Sequence, residues 1–211
     1  MRVKFCGITD IDDAAEAVRL GAWAIGMVHW GPSPRDVDPV VAAQIAAAFR
    51  RKAEIVGVFV NPTLGEVTQA VENEQLSMVQ LNGEEGASFC AEVARRTGVK
   101  VIKAIHVASA ADIHAAEAYR WVDYHLFDRR AGNLPGGTGE SFDWDLLRAH
   151  RSEVPAILAG GLKPENVAEA VEIVRPFAVD VASGVEAEPG RKDHAKMAAF
   201  FEAANSVGAA T

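Results

Sequence analysis

The chain reads as an α/β protein, a single-domain (β/α)8 TIM barrel over residues 1–211. Three observations predict it. Short apolar strand patterns alternate strictly with amphipathic helical stretches, which implies a parallel sheet covered by helices. There are eight such units of about 26 residues, and eight in 211 residues fit the lower end of the size range of this barrel. No Pro/Gly-rich linker or composition break marks a second domain. The competing architecture, a doubly wound open sheet, would carry GxGxxG after its first strand, and none is present.

The first unit is Lys4-Phe5-Cys6-Gly7-Ile8-Thr9. Side chains alternate along a strand, so Lys4 and Cys6 share one face and Val3 and Phe5 the other. In a closed barrel the first pair points inward. A cation two residues from a thiol favours its thiolate, which makes Cys6 a candidate for proton transfer tuned by Lys4. A free Cys in a strand is also commonly a small buried hydrophobe. Asp10 or Thr9 caps a helix from Ile11 to Leu20, and Gly21 ends it.

Strand two, Ala24 to Val28, leads into a Gly/Pro-rich loop through Ser33-Pro34-Arg35. Asp38-Pro39 opens an alanine-rich helix to Phe49. Ile55 to Val60 is a continuous apolar run, the mark of a strand buried on both faces. A helix through Glu74 follows, then Met78 to Leu81, a helix from Glu85 to Thr97, and a fifth strand from Lys100 to Ile105. Asp112 to Tyr119 is helical, and Tyr124 to Phe127 is the sixth strand. The longest loop runs from Asp128 to Ser141 and is read as a lid, and Asp143 starts a helix. Ala156 to Ala159 is strand seven, ending in Gly160-Gly161, with a helix from Pro164 to Val174. Phe177 to Val181 is strand eight, followed by Ser183-Gly184 and a last helix from Asp193 to Asn205.

Barrels of this kind place their chemistry at the C-terminal strand ends. Those ends offer Cys6, Arg35, Asp128, Gly160-Gly161 and Ser183-Gly184. Small residues after strands seven and eight let backbone N–H groups approach a phosphate. Asp128, at the end of strand six, either holds a proton in a desolvated pocket or merely turns the loop. Arg35 has the planar fork that clamps a carboxylate.

With 21 Lys and Arg against 29 Asp and Glu, the net charge is -8, which argues against a nucleic-acid surface. The two cysteines form no CxxC, and the six histidines show no metal spacing, so no metal is expected. Neither a signal peptide nor an apolar run of membrane-span length is present, and a cytoplasmic protein with no membrane partner is expected.

Taken together, Lys4-Phe5-Cys6-Gly7-Ile8-Thr9, Ser33-Pro34-Arg35, Val58-Phe59-Val60-Asn61, Gln80-Leu81-Asn82-Gly83, Asp128, Gly136-Gly137-Thr138-Gly139, Leu158-Ala159-Gly160-Gly161-Leu162 and Asp180-Val181-Ala182-Ser183-Gly184-Val185-Glu186 resemble the phosphoribosylanthranilate isomerases of tryptophan biosynthesis. The likeness runs from the first strand to the eighth. It implies an Amadori rearrangement of N-(5-phosphoribosyl)anthranilate, with Asp128 as general acid and Cys6 as general base. It also implies Arg35 on the anthranilate carboxylate, backbone at Gly160, Gly161, Ser183 and Gly184 on the phosphate, and Asp180 near the sugar hydroxyls. The family commonly has His where Asn82 stands. The implied partner is a phosphorylated small molecule, with no cofactor, acting in a monomer or homodimer. Two alternatives are a phosphate-binding barrel without catalysis and the related histidine-pathway isomerase, which usually has Asp on strand one where this chain has Cys6.

Overall fold

A computed structural model describes residues 1–129 and 143–207. Eight parallel strands close into a barrel in chain order: β1 (Arg2–Cys6), β2 (Ala24–His29), β3 (Glu54–Phe59), β4 (Met78–Leu81), β5 (Lys100–Val107), β6 (Tyr124–Arg129), β7 (Ala156–Leu158) and β8 (Ala178–Val181). Closure is made by β1 pairing with β8, in a register that sets Lys4 beside Asp180. The outer helices are α1 (Ile11–Leu20), α2 (Pro39–Phe49), α3 (Leu64–Glu74), α4 (Ala87–Thr97), α5 (Ala110–Ala115), α6 (Val167–Val174) and α7 (His194–Ser206).

Strand parity divides the apolar side chains into two cores. Val3, Phe5, Ile25, Met27, Ile55, Val79 and Phe127 face outward and pack on the helices. Cys6, Ala24, Val56, Met78, Ile102, Leu126 and Ile157 fill the barrel interior. Trp23, Tyr124 and Phe177 meet edge-on or tilted at centroid distances of 5.0–5.6 Å below that interior. The Arg2 guanidinium lies 4.3 Å over Phe177. The N-terminal end is therefore plugged with aromatic rings, and polar chemistry is left to the other end.

Helix ends follow the expected signals. Asp10 accepts from Asp12 and Asp13 N–H, and Gly21 closes α1 in the left-handed conformation. Several boundaries differ. The β5 and β6 strands each run two residues further than their apolar patterns, because His106 pairs with Asp128 and Val107 with Arg129. Asp128 thus sits within the ladder rather than after it. The α4 helix starts at Ala87, not Glu85, because the Glu85 carboxylate turns inward to meet Lys103 at 2.7 Å. The helix after Asp143 is a 3-10 run, Trp144–Ala149, and α6 begins only at Val167. A hairpin not expected from the pattern, β9 (Glu186–Glu188) with β10 (Arg191–Lys192), follows the eighth strand. The Gly136-Gly137-Thr138-Gly139 lid lies outside the described residues. None of the described helices is long and apolar enough to cross a membrane.

Candidate active site

Every site residue expected from the sequence lines one cavity at the C-terminal mouth of the barrel: Cys6, Arg35, Asp128, Gly160, Gly161, Asp180, Ser183 and Gly184. Trp30, Val58, Gln80 and Asn82 complete the wall.

On the β1 side, Lys4 and Cys6 both point inward, as their parity requires. Lys4 is fully buried and donates to Asp180 Oδ1 at 2.7 Å. Burial pulls the Lys4 ammonium down, but the Asp180 carboxylate and the neighbouring thiol outweigh it and hold its pKa above the ordinary value. The Cys6 thiol is pushed up by burial, against the opposing pull of Lys4 and, further off, Lys192. Lys4 thus pulls the thiol toward thiolate, while burial first and the Asp180 carboxylate second push its pKa the other way. Gly26 makes room for the pair. A Cβ there would lie 2.9 Å from both Cys6 Sγ and Lys4 Nζ.

Asp128 stands on β6, three strands away around the ring by way of β7 and β8. Burial raises its carboxyl pKa to about 6, with His106 on the next strand pulling back and Asp180 adding to the rise. Gly160, at φ +82°, leaves space for it, because a Cβ there would come within 2.8 Å of Asp128 Oδ1 and 2.6 Å of the Arg129 nitrogen. Asp180, read from the sequence as a sugar contact, lines the cavity while one oxygen holds Lys4.

Opposite lies a backbone cradle. Gly161 takes φ +67°, and Asn166 Nδ2 fastens its carbonyl at 3.0 Å. Ser183–Val185 forms a 3-10 turn, and the leading amides of such a turn have no partner inside it. Gly184 is packed so closely that a Cβ would meet the Leu162 carbonyl oxygen at 1.9 Å. Side-chain-free backbone with free amides suits a phosphate dianion.

Arg35 is not a solvated loop residue. Its stem crosses Gly7, whose φ is +71° and whose Cβ would lie 2.6 Å from Arg35 Cδ. The loop carrying it is tied back by Val37 N–H to the Val28 carbonyl at 2.9 Å and by Trp30 N–H to Asp36 at 2.6 Å. Glu186 grips the guanidinium at 2.8 and 2.7 Å. Sequence reading gave Glu186, Lys192 and His106 no role. Glu186 stood in a quoted motif, but nothing local links it to Arg35, 151 residues away. Asn82 accepts from Gln80 Nε2 at 3.0 Å, and its carbonyl lies 2.9 Å from His106 Nε2.

The cavity thus sets a thiol and a protonatable carboxyl on separate walls, with an anion cradle and a guanidinium beside them. A cluster of three or more His, Cys, Asp or Glu able to hold a metal is absent among the described residues.

Comparison with known proteins identifies the family. Residues 3–203 match the family model described as N-(5'phosphoribosyl)anthranilate (PRA) isomerase. The N-(5'-phosphoribosyl)anthranilate isomerase of Geobacter metallireducens is 44% identical over 206 residues, covering 98% of this chain and all of the relative. The crystal structure of the phosphoribosyl anthranilate isomerase of Thermotoga maritima superposes with a TM-score of 0.89 at 40% identity, over 98% of this chain and 99% of that one. A phosphoribosyl anthranilate isomerase in complex with reduced 1-(o-carboxyphenylamino)-1-deoxyribulose 5-phosphate gives 0.85 at 39% identity, over the same shares of the two chains. The chain belongs to the N-(5'-phosphoribosyl)anthranilate isomerase family.

Proposed function

We propose that this barrel, as a single domain, converts N-(5'-phosphoribosyl)anthranilate to 1-(2-carboxyphenylamino)-1-deoxyribulose 5-phosphate in tryptophan biosynthesis. The observation that carries the reading is the convergence of Cys6 and Asp128 on one cavity with an anion cradle. Asp128, its pKa lifted to about 6, retains a proton near neutrality and gives it to the ribose ring oxygen, opening the ring to an iminium. Cys6, as thiolate, removes the proton from C2, and the resulting enolamine gains a proton at C1 as the C2 hydroxyl becomes a ketone. The net change is an internal transfer of hydrogen, so no redox cofactor or metal is required.

Gly160, Gly161, Ser183 and Gly184 hold the phosphate, Arg35 faces the aryl carboxylate, and Asp180 keeps Lys4 beside the thiol. Cys6 on β1 favours this chemistry over the histidine-pathway isomerisation, and the need for a thiol and an acid disfavours a binding-only barrel. The enzyme works in the cytoplasm on a small phosphorylated substrate, as a monomer or homodimer, without a nucleic-acid or membrane partner. The purified protein should extinguish the fluorescence of N-(5'-phosphoribosyl)anthranilate, and Cys6→Ala and Asp128→Asn should not. Absence of turnover by the unaltered chain, or full turnover by either variant, removes the assignment.

A further inference from the structure

We propose that Glu186 and Lys192 are positioning residues that aim Arg35 at the aryl carboxylate of the substrate and keep the cluster positively charged. The inference rests on the isomerase reading above and extends it to two residues that need not touch substrate.

A guanidinium has two edges for a carboxylate, one from Nε and Nη2 and one from Nη1 and Nη2. Glu186 occupies the first: Oε1 accepts from Arg35 Nε at 2.8 Å and Oε2 from Nη2 at 2.7 Å. That leaves the second edge unclaimed among the described residues, on a side chain that lines the cavity. Gly7 beneath the stem and Glu186 at the side fix the ring plane, so the free edge has one direction. Taken alone, Arg35 and Glu186 sum to zero charge and would attract an anion poorly. Lys192 changes that. Its Nζ donates to Glu186 Oε1 at 3.0 Å and to the Ala182 carbonyl at 3.2 Å, and although burial draws its pKa below the ordinary value, the Glu186 carboxylate pulls the other way and favours the ammonium. Arg35, Glu186 and Lys192 together carry one net positive charge.

The support continues outward. The Lys192 N–H donates to Asp13 Oδ2 at 2.9 Å, and His194 Nε2 lies 2.8 Å from Asp13 Oδ1. Lys196 Nζ donates to the Glu186 carbonyl at 2.8 Å. The β9–β10 hairpin is thereby locked to α1 and α7, and it delivers Glu186 and Lys192 as a rigid pair. Both side chains are buried, so each is built into the site rather than left on its rim.

The test is binding of two stable probes, the reduced product that bears the ring carboxylate and the same molecule made from aniline, which lacks it. A bidentate charge-assisted contact predicts that the wild type prefers the first by at least about tenfold. Lys192→Met, which removes the net charge, and the double variant Glu186→Met with Lys192→Met, which keeps one positive charge but releases the ring plane, should each bring that preference below about threefold while binding the aniline probe as the wild type does. Equal weakening toward both probes, or a preserved preference in both variants, overturns the proposal. Wild type that binds neither probe refutes the isomerase reading itself. Should the variants not fold, the unaltered protein still decides: the Arg35 Nε–H should give a resolved, slowly exchanging 15N resonance without ligand. An Nε–H averaged with the exposed arginines would contradict preorganisation.

Discussion

Cys6 and Asp128 line one cavity, yet the same force serves them in opposite ways. Burial raises both pKa values because it disfavours the charged form. For Asp128 that is useful, since a general acid must arrive protonated. For Cys6 it works against function, since the base is the thiolate. The surroundings differ accordingly. His106 pulls Asp128 back toward ionisation, followed by the Arg129 N–H and Lys4, whereas Cys6 stands directly beside that buried lysine, which Asp180 holds in place. Burial of the reacting group yields an acid without further design, but it yields a base only where cations are built in.

The comparison breaks first at the two reacting groups. Asp128→Asn and Cys6→Ala should each lower kcat by about a thousandfold, the usual scale of a lost acid or base, in a continuous fluorescence assay. Next in size is Lys4→Met. It strands the Asp180 carboxylate inside the barrel and should lower unfolding stability by about 3 kcal/mol in urea titrations. The double variant with Asp180→Asn should recover much of that loss, because both charges are then gone.

A third effect separates function from stability. The folded-state pKa of Asp128 lies above the ordinary 3.8, so the unfolded chain releases its proton first as pH rises. Its ionisation therefore costs stability progressively between about pH 4 and 6, and the full cost is present above that. Asp128→Asn should stabilise the fold by about 2 kcal/mol at pH 8 and by little at pH 4, while abolishing turnover. Unfolding midpoints at the two pH values check this. The smallest effect concerns Asn82. Its side chain accepts from Gln80 and lies on the cavity wall apart from the acid and base, so Asn82→His should change kcat/KM by no more than about threefold.

How legible the molecule was in its sequence varied by region. The eight units were clear because apolar periodicity is local and each strand is bounded by its own turn. Inward placement of Lys4 and Cys6 followed from parity along a strand, whereas Asp128 was read only as a residue at a strand end. Strand ends were missed by two residues on β5 and β6, where His106 pairs with Asp128 and Val107 with Arg129 although three of the four are polar. The charge network was not readable. Lys4 meets Asp180 across the closure of the barrel, 176 residues apart, and Arg35 meets Glu186 only because a short hairpin is pinned by Asp13. Such contacts depend on global closure, and no spacing in the chain announces them. The four glycines that crowd the site, Gly7, Gly26, Gly160 and Gly184, were visible as residues, but the side chain or carbonyl each one admits was not.

The central claim is that desolvation of its carboxyl holds Asp128 ready as the acid while cations contend for Cys6. Its most direct test is a 13C NMR titration of the aspartate carboxyls in the ligand-free protein, with Asp128→Asn used to assign the resonance. The account predicts that Asp128 titrates near pH 6. A midpoint at or below the ordinary aspartate value of about 4 would contradict it, for the carboxyl would then reach the substrate already stripped of the proton it has to give.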